Sequence, residues 1–342
     1  MSYTAIHLEL KRKRKGVKGI PHLQEQRRKM MKKEVEGLFR ENLVVGLDVA
    51  HVWTTIIDAN DEFQCDYVTK CHPASVYPQD WHFEEECVKS EIRVLQKCSQ
   101  CVEMGLTPNL PMHYGSCIAP TRVKTRFDKS GRDLPPFAYY SANELAGGPD
   151  LEMWQMGEAH GPLQWTSCFF QILAGAAVLN GMVRYVHADL HWGNVIMQPL
   201  NPGGCWHYKL GRQSYYVPNT GEQWRLWDFG FSLPIKNRRD VLKTLEDIDN
   251  VLLGCFQFPE KDKPWQHPTL VGGHCKHTIE RALKKAKRRF YSLPRNMQLY
   301  FNFPATVIEL LGWFKIPPKD RGTILNPRKP YSLSFLPSGG GK

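Results

Sequence analysis

Three oxygen-bearing side chains stand out by type and spacing. In VHADLHWGNV (186–195) a carboxylate, Asp189, precedes an amide, Asn194, by five positions, and the pair follows an apolar run. Further on, LWDFGFS (226–232) sets Asp228 at the end of a second apolar run. Taken singly, each residue would be read as a turn cap, because Asp and Asn bond their own backbone in turns. Taken together they are hard oxygens suited to a divalent metal. Mg²⁺ accepts one or two such ligands and fills its shell with water and substrate phosphate. Phosphoryl transfer asks a protein to hold phosphates, offset their charge and orient an attacking hydroxyl. On that reading Asp189 is the base or hydroxyl-orienting residue, and Asn194 and Asp228 are metal ligands. Phe229 and Gly230 complete Asp-Phe-Gly, and His187 is expected to pack under the loop.

Elements must exist to carry these residues. Residues 1–40 read as a basic arm entering a helix through EQRRKMMKKEVEGLF. LVVGLDVAHVWTTIID and FQCDYVTK are β-branched and aromatic, hence strands, and are joined by a turn at DANDE. FEEECVKSEIRVLQKCSQC is amphipathic with Val88, Ile92 and Leu95 on one face. Two further strand-like pieces lie near MHYGSCIA and PFAYYSANEL, before the Gly-Gly-Pro break at 147–149. TSCFFQILAGAAVLNGMV is apolar on nearly every face and is predicted to lie deep in a core. The expected division is an arm and leading helix (1–40), a β-rich lobe (41–146), a helical lobe (147–315) and a Pro/Gly-rich, draped or loose tail (316–342).

Composition bounds the alternatives. The chain has 342 residues, 42% hydrophobic and 23% charged, ordinary globular values that argue against disorder throughout. No uninterrupted apolar run reaches the roughly 18–20 residues of a membrane span, and the amino-terminal charges follow rather than precede a short apolar patch. A soluble, intracellular protein is expected. The net charge of +11 is concentrated at the start: residues 1–40 hold 12 Lys/Arg against 4 Asp/Glu. Lys11-Arg12-Lys13-Arg14-Lys15 is either a nuclear-import address or polyanion contact, or a solvated arm. A second basic stretch, RALKKAKRRF (281–290), reads as a solvent face, and neither has the interleaved aromatics of a nucleic-acid reader. The ten Cys show no disulfide spacing. Cys98 and Cys101 with His274, Cys275 and His277 are a weaker zinc alternative, since the second cluster lacks the usual Cys-x-x-Cys spacing.

HADLHWGN and DFG resemble the catalytic and metal loops of the protein-kinase superfamily, and more narrowly the chain resembles haspin-type atypical protein kinases. GGPDLE (147–152), DLHWGN (189–194), WHYKLGRQSYYVPNTGEQWRLWDF (206–229) and EDID (246–249) carry that resemblance, which is good over roughly 140–250 and loose over 60–140. It implies an α+β, bilobal kinase-like fold with a small β-rich N-lobe and a larger helical C-lobe, and ATP with Mg²⁺ as cofactors. It places Lys70 of YVTK on the α/β-phosphates, paired with Glu91 of KSEIRVL, and Glu85 and Glu86 as nearby competitors. It makes ANELAGG the hinge, with Glu144 and Ala146 offering backbone groups to adenine and Asp150 positioned for the ribose. Gly46 stands where the glycine loop is expected, and His191 occupies a catalytic-loop position often held by Lys.

The chain also departs from that pattern. Gly46 is alone in its segment, with no G-x-G-x-x-G around it. Ala188 replaces the Arg that usually precedes the catalytic Asp, which removes the partner of an activation-loop phosphate. Only 19 positions separate Asp228 from Asp247, too few for the usual activation segment. The resembled family takes a basic histone tail, yet LPIKNRRDVLKTLEDID carries Lys236, Arg238, Arg239 and Lys243, which repel such a peptide. The expected function is ATP- and Mg²⁺-dependent transfer to Ser or Thr of a protein, a chromatin protein or histone tail among the candidates, by a monomer without membrane contact. The alternatives are a small-molecule kinase of the aminoglycoside or choline type, and a pseudokinase scaffold. The first is disfavoured by the short stretch after the hinge, the second by a complete metal-and-base set.

Overall fold

The structure is a computed structural model that describes residues 47–49, 57–59, 67–73, 78–120, 137–144, 146–157, 160–254 and 272–333. The basic arm with Lys11–Lys15, the leading helix and Gly46 lie outside the described residues. The fold is mixed α+β and divides into two compact units. Among the described residues, those from 47 to 99 and from 111 to 144 form the first; 100–110 and 146 onward form the second.

In the first unit, β1 (Leu47–Val49) pairs antiparallel with β2 (Ile57–Ala59). Strand β3 (Tyr67–Pro73) is followed by helix α1 (Pro78–Glu103), then β4 (His113–Pro120) and β5 (Phe137–Glu144). These strands form an antiparallel sheet in the order β3-β5-β4, with Lys70 opposite Ser141. On α1 the buried stripe runs Val88, Glu91, Val94, Leu95, Cys98, Cys101 and Val102, a helical spacing. The sequence expectation of Val88, Ile92 and Leu95 is therefore corrected by part of a turn. Ile92 is only half-buried, and a carboxylate, Glu91, takes the inward place.

The second unit opens with the short helix α2 (Leu151–Met156), capped by Asp150. Helix α3 (Pro162–Val178) follows, with Pro at its first position and the Gly161 N–H held by Gln164 Oε1 at 2.9 Å. From Ser167 to Asn180 it is continuously buried, as its all-round apolarity demands. By length and composition α3 and the π turn after it, Leu179–Val183, would pass for a membrane span, but most of that length is buried inside the unit. Next come β6 (Tyr185–Val186), a 3₁₀ turn (Trp192–Asn194), β7 (Val195–Pro199), β8 (Cys205–Leu210), β9 (Gln213–Pro218), β10 (Glu222–Leu226) and β11 (Leu233–Pro234). Helices α4 (Arg238–Leu253), α5 (Gly272–Ser292), α6 (Arg295–Gln298) and α7 (Phe303–Leu311) complete the helical part, and β12 (Tyr331–Ser332) ends it.

Strands β8 and β9 form a hairpin, and β10 pairs antiparallel with β7. One sequence expectation is modified here. The tail is not loose over its described part. Leu325 N–H bonds Cys205 O at 2.9 Å, and Tyr331–Ser332 adds a parallel strand beside Tyr208 and Lys209. Two-sided pairing of β8 gives those tail carbonyls and N–H groups the partners that a draped segment would lack.

Candidate active site

The site is built on the pairing of β7 with β10. Leu226 lies opposite Val195, so Asn194, one residue before β7, and Asp228, two residues past β10, emerge at the same end of the ladder. The Trp227 N–H donates to Asn194 O at 2.8 Å and closes that end. Strand β10 is buried along its whole length and is held from behind by an amide network. Asn109 Nδ2 donates to Trp224 O at 2.8 Å, and its backbone O accepts from Leu226 N–H at 3.1 Å. Gln171 Oε1 accepts from Trp224 N–H at 3.0 Å, while Gln171 Nε2 donates to Glu222 O at 3.1 Å. Fully satisfied buried amides of this kind rigidify what they hold. Gly175 lets α3 come this close: a Cβ there would stand 2.7 Å from Asn109 O.

The loop between β6 and β7 carries the other residues. Asn194 Nδ2 donates to Asp189 O at 2.8 Å and reaches Asp189 Oδ2 at 3.4 Å. His191 Nε2 lies 3.9 Å from the same Oδ2, and His191 Nδ1 accepts from Gly193 N–H at 3.2 Å, capping the 3₁₀ turn. The side chains of Asp189 and His191 remain 42% and 57% exposed, so a substrate can reach them. Asp247 on α4 grips the loop from inside: Oδ2 accepts from Ala188 N–H at 2.9 Å and Oδ1 from Leu190 N–H at 3.4 Å. Burial raises the Asp247 pKa to about 6, against the lowering effect of those two N–H bonds and of Lys243, with the nearby Asp189 charge raising it further.

His187 joins the two loops. Its Nε2–H donates to Trp227 O at 2.8 Å, its backbone O accepts from Ser232 Oγ at 3.3 Å, and its ring rests 5.1 Å from that of Phe229. Full burial lowers its pKa against the pull of Trp227 O, Asp228 and Asp189, so it is a neutral donor. Asp228 Oδ1 accepts from Gly230 N–H at 3.4 Å. Ala188 and Asp228 have φ of 65° and 56°, left-handed conformations that cost a non-glycine residue about 1 kcal/mol or more and that cluster at functional sites.

Asp189, His191, Asn194 and Asp228 are thus gathered within the second unit, which also contains Ala146 and Asp150; Lys70, Glu91 and Glu144 belong to the first. Lys70 sits in the middle of β3, but its side chain lies outside the described residues, as do those of Glu85 and Glu86. Glu91 is 3% exposed. A carboxylate so buried requires a cation or donors around it. Two of the hinge residues have partners of their own. The Glu144 N–H donates to Met112 O at 2.8 Å. Asp150 Oδ1 accepts from Met153 N–H at 2.8 Å, which makes Asp150 the N-cap of α2. The zinc alternative fares poorly where it can be judged. Cys98 and Cys101 are buried in the α1 stripe, and burial pushes the Cys101 thiol up to about 11, away from the thiolate a metal requires. No group of three metal-binding side chains of the His, Cys, Asp or Glu type occurs among the described residues.

Comparison with known proteins points the same way as these loops. The chain is 26% identical over 145 residues to 019R of Frog virus 3 (isolate Goorha), itself named a serine/threonine-protein kinase only by inference. It is 32% identical over 103 residues to serine/threonine-protein kinase haspin of Bos taurus. The similarity is to protein kinases. The matched segments cover 42% and 30% of this chain but only 16% and 12% of those two proteins. No protein-family model matches. A solved structure of the Rad53 kinase domain and SCD2 in complex with AMPPNP overlays 82% of this chain and 94% of its own at 13% identity, with a TM-score of 0.41, too loose to add weight. The sequence relatives support the protein-kinase superfamily, and the mixed α+β architecture is consistent with a kinase-like fold.

Sequence reasoning missed the residues that act from behind. Asn109 and Gln171 lie 62 positions apart and far from the loops in sequence, so no spacing rule connects them. In the sequence Asp247 stands out only as part of EDID and by its spacing from Asp228. Its signal was an acidic residue on the inward face of an otherwise amphipathic helix, beside buried Thr244, Ile248 and Val251.

Proposed function

We propose that the chain transfers the γ-phosphoryl group of ATP to a Ser or Thr hydroxyl of a protein, with Mg²⁺ as the metal. The observation that carries this reading is the Asn194 amide. Its Nδ2 is committed to Asp189, which turns Oδ1, a hard oxygen, to the opposite side of the group, at the ladder end from which Asp228 emerges. One amide and one carboxylate oxygen donor fit the small protein share of a magnesium shell. Bound there, the metal would offset charge on the phosphates.

The side chains perform the remaining work. Asp189 accepts a hydrogen bond from the substrate hydroxyl, directing its oxygen at the γ-phosphorus. As the new O–P bond forms and the bond to the β-phosphate oxygen breaks, the hydroxyl proton passes to the Asp189 carboxylate. His191, whose Nδ1 accepts from Gly193 and whose Nε2–H therefore faces the Asp189 side, steadies that carboxylate or the incoming phosphate. Lys70 and Glu91 extend the reading to the α/β-phosphates, and the hinge groups of Ala146 to adenine. Gly46 would belong to the loop over the phosphates.

The test offers purified chain with Mg²⁺ and labelled ATP to protein and peptide substrates and to small alcohols in parallel. Label on Ser or Thr, lost in Asp189→Asn, is expected. Label on small alcohols alone, or Asp189→Asn equal to the parent, would sink the assignment.

A further inference from the structure

The segment after Asp228 does not resemble the bed of a basic peptide. It is tied to the catalytic loop through its backbone: Leu233 pairs with Val186, Pro234 with Tyr185, and Ile235 N–H bonds Arg184 O at 2.9 Å. Ser232 and Ile235 face inward, while Phe231 and Leu233 are 62% and 46% exposed. Phe231 therefore presents bare apolar surface a few residues from Asp189 across the short ladder. Residues 231–243 then supply four cations, Lys236, Arg238, Arg239 and Lys243, against one carboxylate, Asp240.

That carboxylate is already engaged. Asp240 Oδ2 accepts from Lys236 N–H at 2.7 Å and Asn237 N–H at 2.9 Å, closing the capping box at the start of α4. The Arg238 guanidinium lies over the rings of Phe290 and Tyr291 at 5.5 and 5.1 Å, so aromatic faces hold it and leave its charge unneutralised. Among the described residues none of Lys236, Arg238 and Arg239 forms an ion pair. Asn237, Arg238, Arg239 and Leu242 line an open depression of about 600 Å³.

We infer that this face selects the substrate: an acidic peptide segment flanking the acceptor Ser or Thr, its carboxylates on Lys236, Arg238 and Arg239 and an apolar side chain against Phe231 and Leu233. The inference rests on the proposed phosphoryl transfer and names its substrate class. Charge complementarity carries it, because the same cations repel the basic tail that the sequence resemblance would suggest.

Three labelled serine peptides test it, one flanked by Asp, Glu and Leu, one neutral, and one rich in Lys and Arg like a histone tail. Affinity is read by fluorescence anisotropy and transfer by incorporation of labelled phosphate. The unaltered chain should bind and phosphorylate the acidic peptide best, with an affinity that falls as salt rises. Lys236→Glu with Arg239→Glu should raise the KM for the acidic peptide on the order of 10-fold and lower it for the basic one. Should that double variant misfold, the salt titration of the unaltered chain reads the same interaction. Preference for the basic peptide, or no preference, overturns the inference and leaves phosphoryl transfer standing. Salt-sensitive binding of the acidic peptide without any phosphate gained upholds the surface and overturns the transfer.

Discussion

The loop at 187–194 and the segment at 231–243 are neighbours joined by a two-residue ladder, yet they are built on opposite plans. In the first, buried groups fix the backbone: Asp247 holds two N–H groups, His187 holds Trp227 O, and Asn194 holds Asp189 O. In the second, Phe231, Leu233, Lys236 and Arg239 face outward. Position is enforced from inside where a reaction needs tenths of an ångström, and charge is displayed outside where a partner must be chosen. The contrast predicts that rate and stability track the first region and substrate preference tracks the second.

The largest expected effect is at the ladder end. Asp228→Ala removes a proposed metal ligand without opening a core, since Asp228 is only half-buried. Loss of charge stabilisation worth several kcal/mol should lower kcat by about 10³-fold. Thermal unfolding should shift little, which separates chemistry from folding. A large fall in Tm with residual rate preserved would break the comparison at its strongest point.

Next in size is the pH dependence of stability. The Asp247 carboxyl titrates at about 6 when folded against an ordinary 3.8. Between those values the folded chain binds the proton that the unfolded chain releases, so this group's contribution falls as pH rises from about 4 to about 6 and is flat above. The difference is about 3 kcal/mol in all. Denaturant unfolding across that range should show the decline, and Asp247→Asn should flatten it.

Much of the candidate site's arrangement was legible because its oxygen-bearing residues lie in short strings. Asp189, Asn194 and Asp228 each follow an apolar run, and the register of Leu226 with Val195 does the joining. The core position of α3 was legible for a similar reason, its apolar surface allowing no solvent side. What could not be read were choices made by tertiary partners. Ile92 and Glu91 differ by one position, 100° on a helix, and only packing decides which turns inward. The Glu144 N–H could serve a ligand or Met112, and the carbonyl next to it won. That Asp150 caps a helix is visible only once α2 is present. The bond from Asn109 to Trp224 O spans 115 positions and leaves no local trace.

A smaller effect is expected for Asp247→Ala at neutral pH. Two N–H groups lose their acceptor, at about 1–3 kcal/mol each when buried. Against this, the variant no longer buries a carboxylate whose charge is disfavoured there, a relief of about 3 kcal/mol by the same titration. The net cost should be about 3 kcal/mol or less, while kcat falls more than stability because Ala188 and Leu190 flank Asp189. Equilibrium unfolding and turnover, measured on one preparation, give the two numbers. Equal losses in both would mean that Asp247 serves folding alone.

The smallest effect should come from the exposed region. Arg239 is exposed and among the described residues forms no ion pair; its N–H, which bonds Asn237 Oδ1 at 2.8 Å, survives any substitution that keeps a backbone N–H. Arg239→Ala should therefore change stability by no more than about 0.5 kcal/mol, the ordinary range for surface positions. It also keeps the cap of α4, because Asn237 Oδ1 and Asp240 Oδ2 bond backbone rather than the guanidinium. A calorimetric Tm indistinguishable from the parent, beside a raised KM for acidic peptide, would sharpen the division between a loop built to hold still and a segment built to be met. A clear drop in Tm would place Arg239 in the scaffold and erase that division at its outer edge.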